Sequence, residues 1–429
     1  MTTAPVLTRD QPEVSGTWSA TASAPAPPSF GVEEEFLLLD PVVGRPVPAA
    51  PDLLRLLAGE AGVRAELMRF QFEVATPVCT SLADLRAELI RLRGLAACGA
   101  TALGCRLVAS GVSPYGTQGL TALTDDARYL DLARRHPGLI AEYGTCGCHV
   151  HIGVPSRDIG VQVLARLRPW LTSLLAISAN SPVYDGRDTG WASWRYRIVA
   201  RWPTARPPAV WPDAAAYDAT VRRLIRNGAA LDESSVYFHA RLSPRYPTVE
   251  IRIADVCPDI DMTVLVAALA RALVATALEE VDNRAPLPRA SPQALVPGLT
   301  AAARFGLAGT GVDPFTGEPA SQRDLLHRLL DHVSGALDGS GDLGYVSGLL
   351  TLLASRCCGA DQQRTLWRQG LDAPAFIEAL ADRTLATPMP PIDGASQHTR
   401  EDECRQREST APANRGAGCA PSTSTSSTR

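Results

Sequence analysis

There is no lysine among the 429 residues; all 41 basic side chains are arginine. That absence excludes a Walker-type phosphate loop and any Schiff-base lysine, both of which need the amine. If the chain handles phosphate, arginine and a metal ion must do it. A long hydrophobic run is lacking too. The longest, Thr263 to Leu278, is interrupted by Arg271 and reads as a buried helix, too short to span a bilayer comfortably. Neither sign of charge dominates: the net value is −4, so nothing points to nucleic acid or an anionic membrane. No basic segment followed by an apolar core opens the chain, so no secretion signal is expected. Ten cysteines are scattered without the rhythm of a disulfide scaffold, which suits reduced thiols in the cytoplasm.

Apolar residues make up 45% of the chain, ample for a large core. Residues 1–29 are dominated by Thr, Ser, Ala and Pro, and 391–429 are similar; both are expected to be disordered tails. Residues 30–390 contain neither a long linker nor an internal repeat and are expected to form a single catalytic domain.

Within it, four stretches alternate polar with apolar residues, the period of a strand. In Val32-Glu33-Glu34-Glu35-Phe36, Glu33 and Glu35 share one face, about 7 Å apart at the backbone, while Val32, Glu34 and Phe36 share the other. Phe70 to Val74 sets Gln71 and Glu73 against Phe70, Phe72 and Val74. Thr145 to Val154 places His149 and His151 opposite Cys148, Val150 and Ile152. Val249 to Ile253 places Glu250 and Arg252 opposite three aliphatic side chains. Helices are expected from Ser81-Leu82-Ala83-Asp84 onward, from Val161 to Ile177 with Pro169 kinking or splitting it, and from Met262 to Asp282.

An antiparallel sheet with one wet face would show the same alternation. The polar positions here are Glu, His and Arg, with little Thr, Ser or Gln among them. Carboxylates suit Mg²⁺ or Mn²⁺, and one imidazole is compatible with either. A sheet whose concave face holds metals is therefore the functional alternative. Cys146 and Cys148 beside His149 and His151 resemble a zinc cluster, but in a straight strand they project from opposite faces. Trp191, Trp194 and Trp202 could stack on a base or pack under a loop.

Six motifs occur in order: Gly31-Val32-Glu33-Glu34-Glu35-Phe36; Glu73 with Thr76; Gly147-Cys148-His149-Val150-His151-Ile152-Gly153; Ser178-Ala179-Asn180-Ser181-Pro182; Asp188-Thr189-Gly190 with Ser193 and Arg195; and Ser243 to Arg252. Together they resemble the carboxylate–amine ligases of the second glutamate–cysteine ligase family, over roughly Phe30 to Leu385. The resemblance implies an α+β fold of the glutamine-synthetase type: a curved, mainly antiparallel sheet forming a basin flanked by helices. It implies ATP-dependent amide formation through an acyl phosphate, with ATP and Mg²⁺ or Mn²⁺ as cofactors. Glu33, Glu35, Glu73, His149 and Glu250 would be metal ligands, and Arg252 would act at the γ-phosphate. Arg195, Arg201, Arg245 and His151 are weaker candidates for nucleotide or substrate contacts. Small-molecule acid and amine substrates, and a homo-oligomer, are further implications. The chain departs from the family pattern at Arg206, at Thr300-Ala301 before Arg304, and at Gln362-Gln363-Arg364. A metal-dependent hydrolase or oxygenase using His149, His151 and a glutamate, and an inactive nucleotide-binding relative, remain open alternatives.

Overall fold

The computed structural model describes residues 26–116 and 119–390. The expected tails lie outside them, apart from residues 26–29. Seven strands form one open sheet: β1 (Phe30–Leu39), β2 (Val63–Ala65), β3 (Gln71–Ala75), β4 (Arg106–Val108), β5 (Gly147–Gly153), β6 (Ala240–Leu242) and β7 (Thr248–Asp255). Their order is β2-β3-β1-β5-β7-β6, with β4 paired to the far end of β1, and every pairing is antiparallel.

The four alternating strands, β3, β1, β5 and β7, are consecutive in that order. Register sets Glu35 opposite Glu73, Glu33 opposite His149, and His151 opposite Glu250. At the flanks Arg64 stands opposite Glu73, and Arg241 opposite Glu250. The β5–β7 register slips between Cys148 and Val150, where β7 carries one residue more. Such a bulge bends the strand and re-aims side chains. The polar face is concave. Arg64 on edge strand β2 reaches within 3.5 Å of the Tyr246 hydroxyl in the β6–β7 turn. On a flat sheet those strands would lie about 19 Å apart.

Helices cover the opposite face. The first, α1 (Leu82–Ala102), is capped by Ser81, which accepts from the Asp84 amide at 3.1 Å. Pro169 splits a later helical stretch into α2 (Arg157–Leu167) and α3 (Leu171–Ser178), joined by a single 3₁₀ turn. The long apolar helix α4 (Ile260–Asp282) packs against α1, α2 and α3. By length and composition α4 and the stretch Leu343–Arg368 could each cross a membrane; 89% of the most apolar 18-residue window of α4 is buried in the fold, as in a core helix.

Glu34, the middle glutamate of β1, belongs to this covered face. Arg93 Nε on α1 donates to its Oε2 at 2.9 Å, and Thr263 Oγ1 on α4 donates to its Oε1 at 2.7 Å. Both charged groups are wholly buried, so the pair clamps sheet to helices. Cys148 packs against Cys257, and Cys146 Sγ accepts from Gln71 Nε2 at 3.7 Å. No zinc set with His149 and His151 forms among the described residues. Seven described cysteines, Cys79, Cys105, Cys146, Cys148, Cys257, Cys357 and Cys358, are free thiols.

Candidate active site

The register turns isolated alternations into two clusters on the concave face. Glu33, His149 and Glu250 bring one donor atom each within 4.8 Å of one another, and so do Glu35, Glu66 and Glu73. Neighbouring pairs are close throughout: His149 Nδ1 lies 3.7 Å and His151 Nε2 3.6 Å from Glu33 Oε2, and His149 Nε2 lies 3.9 Å from Glu35 Oε1. The Gly147 amide donates to Glu35 Oε2 at 2.7 Å.

Burial raises the pKa of every acid in this basin; the neighbours decide the outcome. In Glu33, the nearby imidazoles of His149 and His151 overcome burial and hold the carboxyl far below the usual range. Glu250 is also lowered, because Arg252, Arg241 and His151 outweigh its burial. The second cluster goes the other way. Burial and then the Glu35 charge push Glu66 up to about 7, and burial with Glu66, Glu33 and Glu35 raises Glu73 well above normal. Glu35 is raised by burial despite opposition from Arg195. Burial and then Arg252 depress His149 to about 4, which keeps its imidazole neutral at pH 7.

Three crowded carboxyls, each raised above its ordinary range by burial and by its neighbours, form a site whose repulsion a hard cation would relieve. Five carboxylates to one imidazole is a donor set that suits Mg²⁺ or Mn²⁺, and the single imidazole is compatible with either. His151 Nε2 is buried without a hydrogen-bond partner, a further unmet donor or acceptor facing Glu33 and Glu250. The residues present therefore fit a divalent metal.

Arg252 sits between the clusters. Its Nη1 contacts Glu250 Oε1 and lies 3.4 Å from His149 Nδ1. Sequence reasoning missed three neighbours. Glu66 completes the second cluster; Arg64 Nη1 bridges Glu33 and Glu73 at 3.2 Å each; and Arg241 grips Glu250 with Nε at 2.8 Å and Nη2 at 3.3 Å. The lone Glu66 shows no alternation, and the two arginines sit on three-residue strands; only their place beside known partners reveals them.

The weaker candidates separate. Arg195 is buried at the site, donating to the Ile253 and Arg252 carbonyls at 3.3 Å. Arg201 instead pairs with Glu142, and Arg245 is exposed in the β6–β7 turn. His151 reaches the basin, its Nδ1 3.0 Å from Thr248 Oγ1. The tryptophans are packing groups: Trp202 sits against His136, Tyr143 and Tyr237, while Trp191 lies beside Trp194 and under Arg197 and Arg304. At the late departures Gln363 Nε2 donates to Asn180 Oδ1 at 2.8 Å, and Arg364 pairs with Asp188.

The model of the glutamate–cysteine ligase family 2 matches residues 29–396. Proteins of Salinispora arenicola and Salinispora tropica, both named "Putative glutamate--cysteine ligase 2", are 44% identical over 364 and 363 residues. Each alignment covers 84% of this chain and 96% of the relative. Among solved structures, a glutamate–cysteine ligase from Francisella tularensis in complex with AMP superposes with a TM-score of 0.64 at 14% identity. That match covers 90% of this chain and 93% of the other, and at such identity it speaks for the fold. The chain belongs to glutamate–cysteine ligase family 2, a family of ATP-dependent carbon–nitrogen ligases.

Proposed function

We propose that this ligase joins the side-chain carboxylate of L-glutamate, or a closely related acid, to the amine of a second substrate such as L-cysteine. The acid is activated as an acyl phosphate, and ADP and phosphate leave. One observation carries this: Arg252 stands on the same concave face as both carboxylate clusters, in contact with Glu250 and near His149. Mg²⁺ or Mn²⁺ held by Glu33, His149 and Glu250 and by Glu35, Glu66 and Glu73 would supply neutralising charge to the phosphates of ATP. The guanidinium offers paired donors to the transferred phosphoryl group, where charge builds in the transition state. Arg241 holds Glu250 from behind, so Glu250 keeps its place beside Arg252. Without lysine, arginine must do this work.

The substrates in this proposal are small molecules, with neither nucleic acid nor membrane as partner, and the enzyme is a cytoplasmic homo-oligomer. An ATP-consumption screen of amino acids and amines with Mg²⁺ or Mn²⁺ tests it. ADP should form fastest with glutamate and an amino-acid amine together. ATP use indifferent to every acid contradicts the proposal.

A further inference from the structure

Beside Arg252 a recess opens, lined by Glu35, Tyr143, Arg195, Tyr237 and His239 among others. His239 is 4% exposed, and neither of its ring nitrogens has a hydrogen-bond partner. Arg195 Nε, on the same recess, is also buried and unpartnered. Buried polar atoms are nearly always satisfied, so three in one recess point to a ligand that completes them.

Their chemistry describes that ligand. Arg195 and Arg252 make the recess cationic. Asp255 lies 3.8 Å from Arg195 Nη1, but it already accepts from the Ser181 and Ser193 hydroxyls and the Asn180 amide, so it answers that charge only in part. Burial, and then the Arg195 charge, keeps the His239 imidazole neutral, with a pKa of about 3. A neutral imidazole has one N–H and one bare nitrogen. The Arg195 Nε–H and the imidazole N–H match the two oxygens of a carboxylate, while the bare nitrogen suits an ammonium. Tyrosine rings and the aliphatic Val199 and Ile253 form the rest of the walls.

We propose that His239 is a specificity-determining residue, which together with Arg195 holds the α-amino-acid head group of a substrate in the recess beside Arg252. The proposal rests on the ligase function above. Both substrates named there carry such a head group, and the experiment tells them apart.

Turnover by the full-length enzyme with ATP and Mg²⁺ is measured for L-glutamate and L-cysteine, and for their decarboxylated forms γ-aminobutyrate and cysteamine. Parent, His239→Phe and His239→Gln are compared. Losing a hydrogen bond to a charged group is worth about 10- to 100-fold. In His239→Phe the KM of one amino acid should rise by that factor, with kcat changing much less. The parent's preference for that amino acid over its decarboxylated form should shrink in step, and His239→Gln should recover part of both. The amino acid affected identifies the occupant. Unchanged KM values in a folded His239→Phe protein overturn the proposal, as does a uniform fall in kcat for all substrates. If the parent does not turn over this pair, the substrate assignment has failed, and equilibrium dialysis of both amino acids reads the recess directly. Equal binding by all three proteins then overturns it. If His239→Phe does not fold, His239→Gln against the parent decides by the same ratios.

Discussion

Glu34 and Arg93 are the most deeply buried opposite charges in the sheet–helix interface, each at 0% exposure. Removing one partner strands the other in a low-dielectric interior, which costs about 3–5 kcal/mol. Arg93→Met should therefore lower the melting temperature sharply, and Glu34→Leu combined with Arg93→Met should regain most of the loss. A single variant that melts like the parent would contradict the clamp. On the other face of β1 the expected signs differ. Glu73→Gln removes a charge from a cluster whose members repel, so the metal-free protein should melt unchanged or higher. Its turnover should fall at least about 100-fold and its metal binding should weaken, measured by titration with Mn²⁺. Normal activity would remove Glu73 from the site. Glu33, Glu35, Glu73, His149, His151 and Glu250 were legible in the sequence because alternation in a strand fixes side-chain direction locally. Glu66 was not. It follows the three-residue β2, and its partner Glu73 lies beyond a chain reversal that no period announces.

Among the elements, α4 shows how local signals and burial combine. Asp259 caps it, accepting from the Met262 amide at 2.9 Å, in a buried position that pushes its pKa up to about 6. Arg93 and Arg356 oppose that rise, and Asp261 adds to it. A carboxyl raised in the folded state lends stability that is complete below its unfolded value, near 3.8, and lost as pH rises through about 6. Asp259→Asn keeps a capping oxygen without the charge. Its melting temperature should gain on the parent's between pH 4 and pH 8, and a difference constant across that range would contradict the shift. The β7 bulge was invisible in the sequence, because it depends on register against β5. Pro169 was legible as a break because its ring forbids an uninterrupted helix.

At the scale of the molecule, the sheet brings residues from β1, β3, β5 and β7, together with Glu66 after β2, onto one concave face, and the helices leave that face open. The recess at His239 depends on a different assembly: Tyr143 before β5, Tyr237 and His239 before β6, and Arg195 and Tyr196 from the helix Trp194–Val199. No motif unites those segments, so only the folded chain shows the recess. The central claim is that this face activates a carboxylate by phosphoryl transfer from ATP. The most direct measurement incubates the enzyme with ATP, Mg²⁺, L-glutamate and hydroxylamine, following phosphorus species by NMR and the hydroxamate by its ferric colour. ADP, phosphate and hydroxamate should appear in equal amounts. In Arg252→Lys, which keeps the charge but loses the two-pronged donor, all three should fall together. AMP and pyrophosphate as the stoichiometric products would contradict the account.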